Sequence, residues 1–210
     1  MSDTPREVLT AGLRELGLEL TPGQVGQLLA LAELVREWNE KFNLTAITEP
    51  IAMVQKHLLD SLTVARFVAG ATLIDVGSGA GFPGLPLAIA DPGLAVTLVD
   101  STAKKVRFLA HAIGALKLAR VTAVHARAEA FRPDEPAATV VSRALGSLAE
   151  FVRVAGHLCA RGGRLLAMKG KDPKDEVAAL PKGWRVERIE RLKVPGLDDE
   201  RHLVILAGRS

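Results

Sequence analysis

Tyrosine is absent from the 210 residues, aromatic side chains make up only 4%, and cysteine occurs once. A platform of exposed rings for stacking nucleobases is therefore excluded as the main binding device. The lone cysteine, Cys159, rules out an intrachain disulfide framework and suits a reducing compartment. Its neighbours Val154, Ala155 and Leu158 predict an apolar helix with the thiol in the core. No apolar run approaches the roughly 20 residues that span a bilayer. Met1-Ser2-Asp3-Thr4-Pro5 carries neither the basic nor the apolar region of a signal peptide. The expected location is cytoplasmic. The G-x-S-x-G nucleophile elbow is also missing.

What is present is an ordinary globular composition, 48% hydrophobic and 24% charged. It argues against disorder and allows one α/β domain with a modest extension. The net charge of +3 permits a polyanionic partner without demanding one. Lysine and arginine outnumber acids in the segment 161–193. The fold gathers that excess into a phosphate-facing stripe or spreads it over a solvated surface.

Residues 1–68 read as a helical extension. Val8, Leu9, Leu13 and Leu16 recur near helical period, with Gly17 as a stop. Thr21-Pro22-Gly23-Gln24 is a capping box with proline at the first helical position. Val25, Leu28, Leu29, Ala32, Val35 and Trp38 form the stripe of a second helix. Thr48-Glu49-Pro50 opens a third, running through His57, Asp60, Val64 and Phe67. Residues 69–210 change pattern to apolar runs at 72–76, 95–99, 121–124, 139–142 and 164–168, alternating with helical stretches, as in a parallel sheet with crossovers. Two later runs, 185–191 and 202–207, are joined by Val194-Pro195-Gly196-Leu197 and predict an antiparallel hairpin. The expected fold is α/β: a Rossmann-like, mostly parallel, seven-stranded sheet ending in a hairpin.

Asp75-Val76-Gly77-Ser78-Gly79-Ala80-Gly81-Phe82 follows the first strand and leads into a helix at 83–90. Glycines there supply positive φ and let the backbone touch a ligand at the carboxyl ends of the strands. Asp100 ends the second strand, where a carboxylate accepts from a ribose diol. Gly79-Ala80-Gly81-Phe82-Pro83-Gly84 also satisfies the dinucleotide pattern G-x-G-x-x-G. Pro83, however, removes one of the N–H donors that a diphosphate needs, Phe82 adds bulk, and Asp75 suits a cationic amine. S-adenosylmethionine fits this loop better than NAD. Among methyl-transfer chemistries, cytosine C5 needs a nucleophilic cysteine. Amino-group methylation usually shows an Asp- or Asn-Pro-Pro-aromatic run where this chain has Ser142-Arg143-Ala144-Leu145. No metal site is assigned.

Blocks from Trp38 onward carry a closer likeness: Trp38-Asn39-Glu40-Lys41-Phe42-Asn43-Leu44-Thr45-Ala46-Ile47, His57-Leu58-Leu59-Asp60-Ser61-Leu62, the loop 75–86, Leu98-Val99-Asp100-Ser101 with Lys104-Lys105, Ala128-Glu129, Ser142-Arg143-Ala144, Met168-Lys169-Gly170 and Arg201-His202-Leu203. In this order they resemble the RsmG (GidB) family of bacterial 16S rRNA guanine-N7 methyltransferases. The resemblance implies S-adenosyl-L-methionine held by Gly77, Phe82, Asp100, Ala128, Glu129 and Arg143. Asp75, Ser78, Gly79, Gly81 and Ser101 join them from the loop and strand positions. It implies 16S rRNA, the small subunit or an assembly intermediate as partner; no membrane and no DNA partner is expected, and the chain is expected to be a monomer.

Guanine N7 has a lone pair and no proton to lose, so proximity and orientation suffice and no general base is required. No catalytic residue is assigned outright; Arg143, His57, Asp60 and Ser61 are the candidates. Arg143 binds the cofactor carboxylate, an RNA phosphate, or a structural carboxylate at the strand end. His57, Asp60 and Ser61, at i, i+3 and i+4 on one helix face, either shape the target-base pocket or buttress the glycine loop. Lys104, Lys105, Arg107, Lys169 and Lys171 are candidate phosphate contacts. The competing readings are a methyltransferase acting on a small molecule or protein, and a non-catalytic RNA-binding assembly factor.

Overall fold

The computed structural model describes residues 4–143, 145–170 and 173–208. Ala144 and Lys171, both named in the sequence analysis, lie outside the described residues.

Thr4 and Thr21 open the first two helices by one device. Each hydroxyl accepts the backbone N–H three residues on, and that residue's side chain (Glu7 or Gln24) accepts the cap's own N–H. The helices are α1 (Pro5–Glu15) and α2 (Pro22–Phe42). Gly17 at φ +68° follows the first, and left-handed Asn43 at φ +49° closes the second. The expected third helix is broken into unlike turns. Glu49 caps α3 (Pro50–Met53), which passes into a π-helical segment, Val54–Leu59. A short α-turn, α4 (Asp60–Leu62), and a 3-10 turn (Ala65–Phe67) follow. The Asp60 N–H reaches back five residues to the Gln55 carbonyl. The i, i+3, i+4 face expected for His57, Asp60 and Ser61 is therefore altered by a wider turn, of the kind concentrated at functional sites.

From residue 72 strands and helices alternate: β1 (Thr72–Val76), α5 (Gly84–Ala90), β2 (Ala95–Asp100), α6 (Ala103–Ala115), β3 (Val121–His125), β4 (Ala137–Ser142), α7 (Leu148–Ala155), β5 (Cys159–Lys169), α8 (Lys174–Val177), β6 (Trp184–Leu192) and β7 (Arg201–Gly208). They form a seven-stranded sheet in the order β3-β2-β1-β4-β5-β7-β6. β1 to β5 run parallel, and β7 is antiparallel to both β5 and β6. The strands fall where the apolar runs place them, with one correction. β5 starts at Cys159, because that residue pairs with Ala137 before the apolar run begins. Cys159 thus opens a strand rather than sitting in a helix, half-buried, with burial pushing its thiol up to about 11.

Alternate residues of each central strand face two separate cores, as expected for a sheet covered on both sides. Leu73, Val141 and Leu166 pack with Leu9, Leu28 and Leu58 from the N-terminal helices. Ile74, Val140 and Leu165 pack with Phe151 and Leu158 on the other face. The helices before β1 are thus part of one core, and they bring the π-helical segment to the carboxyl ends of β1 and β4. Among the described residues, no helix is long and apolar enough to cross a membrane.

Candidate functional site

The glycine loop leaves β1 and is pinned to β2. Gly77 and Ser78 both donate to the Val99 carbonyl, at 2.8 and 3.2 Å, and Gly79 donates to Asp100 Oδ2 at 3.0 Å. Gly77 stands at φ +71°, and a Cβ there would meet nothing within 4 Å. Its exposed backbone therefore faces open space, where a ligand can approach. Gly84 differs: a Cβ would lie 2.3 Å from Leu98 Cδ2 and 2.8 Å from Asp75 Oδ2. That close approach lets the Gly84 N–H donate to Asp75 Oδ2 at 2.8 Å. Asp75 is fully buried beneath the loop, and its Oδ1 has no hydrogen-bond partner among the described residues. Burial raises its carboxyl to about 7. Ser78 is buried too, its hydroxyl donating to the Asp75 carbonyl.

Beside Gly77 lies a cleft of about 520 Å³, bounded by Asp100, Ser101, Ala128 and Glu129 among others. Asp100 Oδ1 accepts the Thr102 N–H at 2.8 Å, and Lys105 Nζ stands 3.9 Å from Oδ2. Each carboxylate oxygen, holding one backbone donor, keeps a lone pair for a ligand hydroxyl. Five of the expected cofactor residues, Gly77, Asp100, Ser101, Ala128 and Glu129, thus line one groove. Gly79 and Gly81 shape the loop above it.

Phe82 and Arg143 belong to a second group, on the β4–β5 side. The Phe82 ring stacks on His57, with centroids 4.5 Å apart and planes 14° apart. Arg143 lies over the same ring at 5.4 Å. Its Nη1 donates to the Lys56 carbonyl and to Asp60 Oδ2, each at 3.2 Å, and its Nη2 meets His57 Nδ1 at 3.2 Å. From the far end of the chain, Arg201 Nε donates to Asp60 Oδ1 at 3.0 Å. Asp60, with a side chain 3% exposed, is therefore clamped between two guanidinium groups. His57, Asp60, Arg143 and Arg201, with Lys56, Met168, Lys169 and His202, line a cleft of about 360 Å³, behind which Phe82 is buried.

The chemistry of these contacts fixes the His57 tautomer. A guanidinium only donates, so Nδ1 must accept and Nε2 must carry the proton. That proton points to Thr45 Oγ1, 2.8 Å away, which also accepts the Ile47 N–H. Burial, and then the Arg143 charge, hold His57 neutral down to about pH 3. Replacing His57 tests this assignment. The amide oxygen of asparagine reaches the Nδ1 position, whereas that of glutamine reaches Nε2. His57→Asn should keep activity within about threefold, and His57→Gln should lose about tenfold or more as Arg143 is misplaced. Equal losses in initial-rate assays of the two variants would refute the assignment.

Asp75 and His57 make opposing contributions to stability. Native Asp75 holds to about pH 7 a proton that its ordinary value, 3.8, would release, so stability falls as pH rises between them. Native His57 refuses to about pH 3 a proton ordinarily taken at 6.5, so stability falls as pH drops between them. Each slope is about 1.4 kcal/mol per pH unit, and in their overlap they offset. Urea melts across this range should show Asp75→Asn losing stability on acidification and His57→Phe losing it as pH rises. Two flat profiles would contradict both shifts.

Other expected residues sit elsewhere. Ser61 is buried, donates to its own helix at the His57 carbonyl and is not among the residues that line the cleft. Lys104 and Arg107 flank Lys105 on α6, half-buried and exposed. Lys169 is committed to Glu176 at 2.9 Å and to the Gly146 carbonyl. The contact that sequence reasoning missed is Asp60–Arg201. The block Arg201-His202-Leu203 marked the region, but nothing in it pointed 141 residues back.

The sheet order, the glycine loop and the acid ending β2 define a Rossmann-like methyltransferase fold. Solved structures agree: mitomycin 7-O-methyltransferase MmcR (TM-score 0.64, 17% identity, 98% of this chain and 73% of that one) and TrmN from Thermus thermophilus (TM-score 0.56, 20% identity, 82% and 52%). The glycopeptide N-methyltransferase MtfA, solved with S-adenosyl-L-homocysteine, matches with TM-score 0.61 at 15% identity over 72% and 87%. Residues 24–204 match the family GidB: rRNA small subunit methyltransferase G. Curated proteins named ribosomal RNA small subunit methyltransferase G are 45% identical in Nitrosococcus oceani (100% of this chain, 98% of that protein) and 48% in Ectopseudomonas mendocina (98% and 98%). The chain belongs to the GidB family of small-subunit rRNA methyltransferases.

Proposed function

We propose that this protein methylates N7 of a guanosine in the decoding-region loop of 16S rRNA, using S-adenosyl-L-methionine, in the cytoplasm. The observation that supports the choice of atom is that His57 and Asp60, two of the candidate groups at the substrate cleft, are both held by arginine side chains. His57 Nδ1 faces Arg143, and Asp60 is shared by two arginines. Groups committed in this way are poorly placed to act as a general base, which suits N7, an atom with no proton to lose.

The first cleft fits the cofactor. Its volume of about 520 Å³ lies within the range of roughly 300–1,000 Å³ for sites that enclose drug-sized ligands. Gly77 leaves open the space that a Cβ would occupy, and Asp100 would accept from the ribose diol. The Gly84 N–H, the first in α5, is already taken by Asp75, which weighs against a diphosphate. Asp75 and Ser78 hold the loop from beneath. Ala128 and Glu129 would flank the adenine, and Phe82 and Arg143 would close the end toward the substrate. When bound, the cofactor supplies an electrophilic methyl carbon. The residues of this chain contribute by fixing the approach of the base, an orientation effect in principle worth several kcal/mol. The helices of 1–68 serve as an extension to the cofactor-binding core of 69–210, supplying one wall of the substrate cleft.

The test is incubation of the protein and labelled donor with small-subunit rRNA, or with small subunits, from a strain lacking the enzyme. Label should appear at guanine N7; its absence from that atom on every such substrate would refute the proposal. Asp100→Ala should weaken cofactor binding by about 1.5–3 kcal/mol, the range for hydrogen bonds to a charged group. Calorimetric titration of the folded variant checks it, and unchanged affinity would remove Asp100 from the site.

A further inference from the structure

Among the described residues, the more enclosed cations of the substrate cleft are already matched by carboxylates. Arg143 and Arg201 share Asp60 and Lys169 holds Glu176, which leaves Lys56, loosely paired with Asp199 at 3.7 Å, as the open charge there. A strand of nucleic acid threading that cleft needs further positive charge. One residue away in the wall, such charge is available. Leu192, which lines the substrate cleft, also lines a second hollow of about 380 Å³ ringed by Arg66, Arg191 and Lys193. Arg66 and Arg191 are exposed and, among the described residues, neither has a carboxylate partner. Lys193 meets Glu15 at 2.8 Å, with side chains 85% and 46% exposed, an open pair of the kind that exchanges readily for a phosphate.

The placement is built by two unrelated elements. Arg66 stands in the 3-10 turn just beyond α4, the helix that holds Asp60, with its guanidinium 4.7 Å from the Phe67 ring. Arg191 is at the end of β6, in register with His202, which in turn pairs with Lys169 at the carboxyl end of β5. The hollow therefore opens at the same end of the sheet as the substrate cleft. Positive charge on an edge strand such as β6 also discourages strand pairing between molecules. That role needs no concavity and no contribution from Arg66, and here both are present.

We propose that this hollow is a second phosphate-binding site, which holds the backbone of the RNA strand flanking the target nucleotide. The inference rests on the rRNA-methylating function proposed above. The strand crosses Leu192 between the two hollows. Contacts to the backbone here set register and affinity, and the reaction chemistry stays with the first cleft.

The experiment measures binding of an unmodified small-subunit rRNA transcript across a salt series. Its variants are Arg66→Gln with Arg191→Gln, Arg191→Gln alone, and a control that removes two charges at the opposite end of the sheet, Lys117→Gln with Arg120→Gln. The double variant should bind about tenfold more weakly at low salt and lose roughly 1–2 units of salt slope, with the single variant between it and wild type. Cofactor affinity and melting temperature should match wild type, and the control should bind as wild type does. Wild-type affinity and slope in the double variant would overturn the inference while wild-type methylation continued. So would a defect seen on small subunits and not on the transcript, which would point to a ribosomal protein. Failure of the wild-type protein to bind or methylate rRNA at all would overturn the functional reading as well.

Discussion

Arg143→Ala should lose methyl transfer by about 100-fold or more while the protein stays folded, the scale seen when a group that positions reactants is displaced. The argument is one of position. This single side chain touches the Lys56 carbonyl, Asp60, His57 and the face of Phe82, so it joins the wall of the second cleft to the end of the glycine loop. A guanidinium has five N–H donors, and the three contacts described leave two for a ligand. Stability should change little, because the side chain is 25% exposed and Asp60 keeps its contact with Arg201. Arg143→Lys should rescue little of the loss, since a point charge cannot make the same fork of contacts. Initial rates and thermal melts together decide: near-normal turnover in the alanine variant would reduce Arg143 to a structural ion pair.

Asp60→Ala should act on stability, at a cost of about 3 kcal/mol, the lower end for removing one partner of a buried ion pair. Its carboxylate is almost fully enclosed and receives both arginines, and their removal from it would leave two positive charges facing each other across a vacated space. The lower end applies because each guanidinium is a quarter exposed and can turn toward water. Asp60→Asn preserves shape and one acceptor, so it should fall between alanine and wild type. Denaturant unfolding measures the loss; a change under about 1 kcal/mol in the alanine variant would place the pair among surface bridges.

Much of this architecture was legible because its signals are local. Short apolar runs bounded by turns marked the strands, and Thr21-Pro22-Gly23-Gln24 announced its helix. Gly77 and Asp100 disclosed a groove because both lie where a strand must end. The features that escaped are those whose cause is distant or lies in the backbone. The π-helical turn at Val54–Leu59 has the same apolar spacing as an α-helix, so composition gave no warning of it. The start of β5 depends on pairing between Cys159 and Ala137 and leaves no mark in hydropathy. Ser61 shares a helix face with His57 and Asp60 by spacing, yet its hydroxyl turns back to its own helix. The candidates His57, Asp60 and Arg143 come together at one cleft, but their partnership with Arg201 depends on topology.

That topology has a bearing on how the protein is made. Domains assemble as the chain emerges, amino end first, at about 5–20 residues per second. The groove beside Gly77 draws on β1 to β4 and α7, all of which precede residue 156. The second cleft waits for β7 to slide between β5 and β6 and deliver Arg201 to Asp60. A ribosome stalled before codon 201 would therefore release a product that carries every residue lining the Gly77 groove and lacks the arginine that completes the clamp on Asp60.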